Sequence, residues 1–216
     1  MRSPGFETPF SRLPASLPVF PLSGAMLLPR GRLPLNIFEP RYLAMIDDAL
    51  AGDRLIGMIQ PIDDSEATPV LHRVGCVGRL TSVAEEGRRY IITLNGVCRF
   101  AVGEELTSMR GYRRIVPEWS EFQSDYHHDV GVLDDRPRLI AGLKSYFKRH
   151  DLAADWTAIE KVDDERLVTS LAMVCPFQPV DKQALLEAPN LTARGKLLTG
   201  LVEMAVTPPP DGPTLN

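Results

Sequence analysis

Cysteine is scarce in this chain of 216 residues. There are three, Cys76, Cys98 and Cys175, widely separated and without a CxxC pair. That pattern argues against a zinc knuckle or redox dithiol and predicts buried thiols in a reducing compartment. Long apolar runs are missing as well, and none approaches the roughly 20 residues that a membrane helix needs. The opening MRSPGFETPFSRLPASLPVF places prolines where an export signal needs unbroken apolar sequence. The expectation is a soluble, cytoplasmic protein with no membrane partner. Positive charge is not in excess: 24 Lys and Arg stand against 28 Asp and Glu, a net charge of -4. Nucleic acids and anionic membranes usually select a basic surface, so neither is the default partner.

The signatures of several catalytic classes are also absent. A P-loop needs GxxxxGK[ST], because its glycines let backbone N–H groups surround phosphate. The Gly195-Lys196 pair has Asn190 where the first glycine belongs and Leu197 in place of Ser or Thr. No serine stands two residues after a glycine, so GxSxG fails, and HExxH does not occur. Lysines are few: Lys144, Lys148, Lys161, Lys182 and Lys196 all fall in predicted helices. They read as solvated helix lysines rather than the desolvated base of a Ser-Lys dyad. His127 and His128, with Asp125 and Asp129, are too close in sequence to converge on one ion, so no metal is expected. No cofactor is expected either.

What is present suffices for a core: 44% of residues are hydrophobic. Residues 1–16 are rich in Pro and Ser and read as a flexible arm. Short runs rich in Val, Ile, Leu and Phe then predict strands at 17–22, 33–38, 54–60, 74–84, 88–95, 97–103 and 111–116. A hairpin turns around Glu85-Glu86-Gly87. Prolines in the first two runs indicate bulged or edge strands. One helix, Pro40–Ala51, starts on proline, carries Leu43, Ile46 and Leu50 on one face and stops at Gly52. Asp47 and Asp48 are expected to face water.

Residues 119–134 have no clear period and read as a connector. Helices follow, capped by Asp134 or Asp135, by Asp155, by Asp163 or Asp164 and by Asn190, with another over residues 180–187. Residues 207–216, rich in proline, are expected to be disordered. The fold class is therefore α+β, mainly β then α. The domain reading is an arm at 1–16, a β-barrel subdomain at 17–118, the connector, a helical bundle subdomain at 135–206 and the tail.

Three blocks carry a family resemblance. The segment LPVFPLSGAMLLPRGRLPLNIFEPRY, residues 17–42, resembles the opening of the N-terminal domain of Lon proteases. Gly75-Cys76-Val77-Gly78, Tyr90-Ile91-Ile92-Thr93-Leu94 and Gly96-Val97-Cys98-Arg99-Phe100 resemble its central hairpin. Asp181-Lys182-Gln183-Ala184-Leu185-Leu186-Glu187, followed by residues 191–198, resembles the end of its helical part. The resemblance implies a PUA-like pseudo-β-barrel followed by a small helical bundle. In the full-length family an AAA+ module and a Ser-Lys peptidase follow, whereas this sequence stops at Asn216. The expectation is a non-catalytic, polypeptide-binding module, an adaptor in protein quality control, that engages unfolded or apolar polypeptides and forms at most a weak homodimer.

The candidate contact residues are Met26, Leu27 and Leu28, on an apolar loop expected at the surface, and then Phe38, Tyr42 and Met45. The alternative is that all six pack in the barrel or under its helix: core is the favoured reading for Phe38 and Tyr42, since aromatics supply much core area, and the two readings balance for Met26 and Leu27. Glu39 and Arg41 are expected to tie the helix start to the barrel. The competing reading is an RNA-binding PUA-like protein, with Arg30, Arg32, Arg88, Arg89, Arg110, Arg113 and Arg114 as a basic patch. Short clusters and negative overall charge weigh against it. An uncharacterised hydrolase is supported by no motif.

Overall fold

The structure is a computed structural model that describes residues 8–63, 68–107, 110–127, 132–149, 151 and 153–206. Six strands come first: β1 (Leu17–Pro21), β2 (Arg32–Ile37), β3 (Leu55–Ile59), β4 (Val74–Glu86), β5 (Arg89–Leu106) and β6 (Arg113–Glu118). Helix α1 (Pro40–Ala51) lies between β2 and β3. Five helices follow: α2 (Arg136–Arg149), α3 (Trp156–Lys161), α4 (Asp164–Val174), α5 (Pro179–Glu187) and α6 (Leu191–Val206).

The sheet order is β2-β5-β4-β3-β1-β6, and β5 also pairs with β6. That second pairing closes β5, β4, β3, β1 and β6 into a barrel and leaves β2 attached to β5 outside the ring. All pairs are antiparallel except β1 with β3, which run parallel on either side of the β2–α1 excursion. The expected strands at 88–95 and 97–103 are one strand of 18 residues. Its register against β4 slips between Val77 and Gly78 and again between Leu80 and Ser82, leaving Val97 and Thr81 as extra residues. Such bulges bend a long hairpin and let it serve in the barrel wall and in the β2 extension at once. Gly87, at φ 64, turns the hairpin tip.

Helix α1 has the expected bounds, with Pro40 in its first turn and Gly52 after its end. Its buried face is Tyr42, Met45, Ile46 and Ala49, turned from the Leu43–Ile46–Leu50 stripe read from spacing. Asp47 is exposed and accepts from Tyr90 Oη at 3.0 Å, whereas Asp48 is half-buried and accepts from Tyr112 Oη at 2.6 Å. Asp135, Asp155, Asp163 and Asn190 each accept a first-turn N–H, so the capping assignments hold.

Two segments depart from expectation. Residues 8–16 fall in the stretch whose composition predicts a flexible arm, yet Thr8 is buried, and Phe10 sits edge-on to Tyr126 with ring centroids 5.5 Å apart. Trp119 Nε1 donates to Pro14 O at 3.2 Å, fixing the same stretch. The connector contains a 3-10 helix, Ser120–Tyr126, that buries Phe122 and Asp125 against the barrel. Its sequence shows no helical period because a 3-10 turn repeats every three residues. The arm's first seven residues and the tail at 207–216 lie outside the described residues.

Barrel and helices meet across a polar seam. Gln60 Nε2 donates to Pro179 O and to Gln183 Oε1, both at 3.1 Å, and Gln183 Nε2 donates to Val74 O at 3.0 Å. Arg99 Nη1 donates to Leu186 O at 3.1 Å and Ala188 O at 2.8 Å, capping carbonyls at the C-terminal end of α5.

Candidate functional site

The loop between β1 and β2 is not the surface patch its sequence suggested. Met26, Leu27 and Leu28 are all buried. The cause lies in strand glycines. A Cβ on Gly78 would stand 2.7 Å from Leu27 Cδ2, and one on Gly96 would overlap the Leu28 carbonyl. Gly78 and Gly96 thus leave a trough in the barrel wall that the loop fills. Glycine inside a strand signals such a close approach, and that signal was available in the sequence.

Tyr42 and Met45 are core as well. The Tyr42 ring packs against Phe20 at 4.3 Å between centroids, and the Arg41 guanidinium lies 4.5 Å from its centre. Burial pushes the Tyr42 hydroxyl above its ordinary pKa. Glu39 and Arg41 pair with each other at 2.9 Å rather than with the barrel.

Phe38 is the exception among the six candidates. It is 67% exposed. Strand alternation explains this: Arg32, Pro34, Asn36 and Phe38 are exposed, while Leu33, Leu35 and Ile37 are half-buried or buried. The phenyl ring stands at the end of β2, which pairs with β5 alone. Phe38 is thus an exposed aromatic at an open sheet edge, an arrangement that suits contact with an apolar segment.

Lys182 is not the solvated helix lysine its sequence context suggested: it is buried, and Nζ donates to Gly24 O at 2.7 Å. Desolvation lowers its pKa. Its amine caps the β1–β2 loop, and no described serine hydroxyl bonds to it. Gly195 and Lys196 lie inside helix α6, not on a phosphate-binding turn. Among the described residues no group of three or more His, Cys, Asp or Glu could hold a metal. Asp125 instead meets Arg99 in a buried ion pair, with Nη2 to Oδ1 at 2.8 Å. His128 and Asp129 of the same motif lie outside the described residues.

Four of the seven arginines in the proposed basic patch are paired with carboxylates: Arg30 with Glu165, Arg89 with Glu86, Arg110 with Asp48 and Arg113 with Glu105. A cavity of about 250 Å³ opens at the seam beside Arg30, Arg99, Asp125, Glu165 and Arg194. These charges satisfy one another or nearby carbonyls, as Arg194 Nε does with Leu185 O at 2.8 Å. The three thiols are buried, which raises their pKa values and makes them poor nucleophiles. No helix among the described residues is long and apolar enough to cross a membrane.

Known proteins resemble this architecture over nearly its whole length. The N-terminal domain protein of Lon type from Xanthomonas campestris superposes with a TM-score of 0.62 at 20% identity, covering 86% of this chain and 97% of that one. The N-terminal domain of the Mycobacterium avium complex Lon protease gives 0.61 at 16% identity, covering 87% and 97%. In sequence, Lon protease 2 of Sorangium cellulosum is 27% identical over 92% of this chain and 26% of its own length. Lon protease of Anaeromyxobacter dehalogenans is 32% identical over 88% of this chain and 23% of its own length. The chain thus spans about a quarter of these relatives. Residues 16–203 match the family described as the ATP-dependent protease La (LON) substrate-binding domain, and the chain belongs to that family.

Proposed function

We propose that this chain is a non-catalytic polypeptide-binding module that engages unfolded or apolar segments and acts as an adaptor in protein quality control. The observation that carries the reading is Phe38, an aromatic ring 67% exposed beside the buried Ile37. The family description, a substrate-binding domain, supports the same class of partner. The relatives' names denote proteases about four times longer, and their activity is not transferred to this chain.

Affinity should be weak. Burying one large apolar side chain contributes about 1.5–3 kcal/mol, and lost association entropy offsets much of it. A titration of fluorescently labelled, unfolded casein tests the reading. Binding in the micromolar range is expected, with Phe38→Ser weakening it about tenfold and leaving the melting temperature unchanged. Unaltered affinity in that variant would remove Phe38 from the site. The purified chain should neither hydrolyse ATP nor cleave the casein; turnover abolished by a substitution in this chain would overturn the non-catalytic reading.

A further inference from the structure

Resting on the polypeptide-binding reading, we propose that the guest is taken up as an added β-strand, its extended main chain pairing with the outer edge of β2. Strand β2 has one neighbour, β5. The phase of that ladder is fixed where Gly96 N donates to Gly31 O at 2.8 Å. With a period of two, the main-chain groups of Leu33, Leu35 and Ile37 turn toward β5, and those of Arg32, Pro34 and Asn36 turn outward. Among the described residues, no hydrogen bond reaches these outward groups.

Pro34 fits this phase, because the donor it lacks would have faced away from β5. The edge therefore offers N–H groups at Arg32 and Asn36 and carbonyls at Arg32, Pro34 and Asn36. Carbonyls two residues apart, and N–H groups four apart on either side of Pro34, complement an extended chain and not a helix, whose own amides are already bonded. The side chains define the guest further. One face of β2 ends in the half-buried Leu33 and Leu35, and the other carries Pro34 and Phe38. An added strand with apolar residues at every second position extends the Leu33–Leu35 row, and its opposite face meets the Phe38 ring.

Size decides between a peptide and a second copy of the chain. The edge is six residues long, about 20 Å of extended chain, which one short segment covers from end to end. A short extended segment is the fitting occupant.

The test uses the whole chain and a fluorescein-labelled nine-residue peptide of alternating Val and Ser, beside its fully N-methylated counterpart. The parent peptide should bind, the methylated one at least about tenfold more weakly. Hydrogen exchange at the Arg32 and Asn36 amides should slow when the parent is bound. Equal affinity of the two peptides, or unchanged exchange at both amides, would overturn strand addition while casein binding leaves the polypeptide reading intact. Failure of casein and parent peptide alike defeats both. A concentration-dependent dimer in sedimentation, abolished by Asn36→Pro, would make a second copy the occupant and also overturn the proposal.

Discussion

Arg99 begins in the barrel wall and ends in contact with two other elements. Its Nε and Nη2 hold both carboxylate oxygens of Asp125, and its Nη1 reaches two carbonyls at the end of α5. The pair is nearly dry, with side chains 4% and 8% exposed. Removing one partner strands a buried charge, so Arg99→Met should cost about 3–5 kcal/mol in a urea titration. Replacing both, as Arg99→Met with Asp125→Leu, should recover part of that loss, because a buried ion pair gains little over apolar packing. Additive losses would show that the two residues act separately.

The thiols set a second behaviour at this scale. Desolvation, with Asp125 adding to it, pushes Cys98 up to about 12, and burial pushes Cys175 up to about 11. A raised folded value means that the unfolded chain gives up its proton first. The contribution is therefore full below about pH 9 and is lost as pH rises toward 11 and 12. Denaturant stability should fall from pH 9 upward, each thiol adding at most ~1.4 kcal/mol per pH unit. Cys98→Ala should flatten that slope, whatever its effect at neutral pH; an unchanged slope contradicts the assignment.

At the scale of elements, glycines divide into two kinds. Gly87 has positive φ and open space around it. Gly96→Ala meets a backbone carbonyl that cannot yield without moving the loop. Gly87→Ala should cost about 1–2 kcal/mol, the strain of a left-handed residue, and Gly96→Ala considerably more. Urea midpoints for the two variants check the order. Replacing Met26 and Leu27 with Ser should likewise unfold the protein rather than merely weaken binding, because both side chains are core.

The same contrast separates what was legible in the sequence from what was not. The bounds of α1, the hairpin tip at Gly87 and the caps at Asp155, Asp163 and Asn190 follow from neighbours within a few residues. The burial of Leu27 and Leu28 depends on Gly78 and Gly96, some tens of residues away, and the anchor of Lys182 is Gly24, 158 positions distant. The candidate site was legible in part. Phe38 stood among the candidates, but its exposure required the phase of β2, which its pairing with β5 decides. The pairing of Arg99 with Asp125 was not legible, because a charge in a strand and one in a connector 26 positions on carry no sign that they meet.

For the whole molecule, hydrogen bonds join barrel and helices across the seam, beside a hydrophobic core that takes in residues of both. Gln60, Gln183, Lys182 and Arg99 each bond to backbone of the opposite part, so displacing the helices would leave several buried polar groups unmatched at once. The two parts should melt together. Arg99→Met should weaken that coupling and broaden the calorimetric transition, whereas a transition equally sharp in both proteins would show that the seam does not couple them.

The placement of the three thiols turns this into a measurement needing no added probe. Cys76 and Cys98 lie in the barrel, Cys175 follows α4, and all three are shielded. A thiol-specific reagent can react only when the surrounding structure opens, so each cysteine is a clock for its own region. Mass-resolved labelling of the unmodified protein should find the barrel and helical clocks running at one rate. In Arg99→Met the Cys175 clock should run ahead.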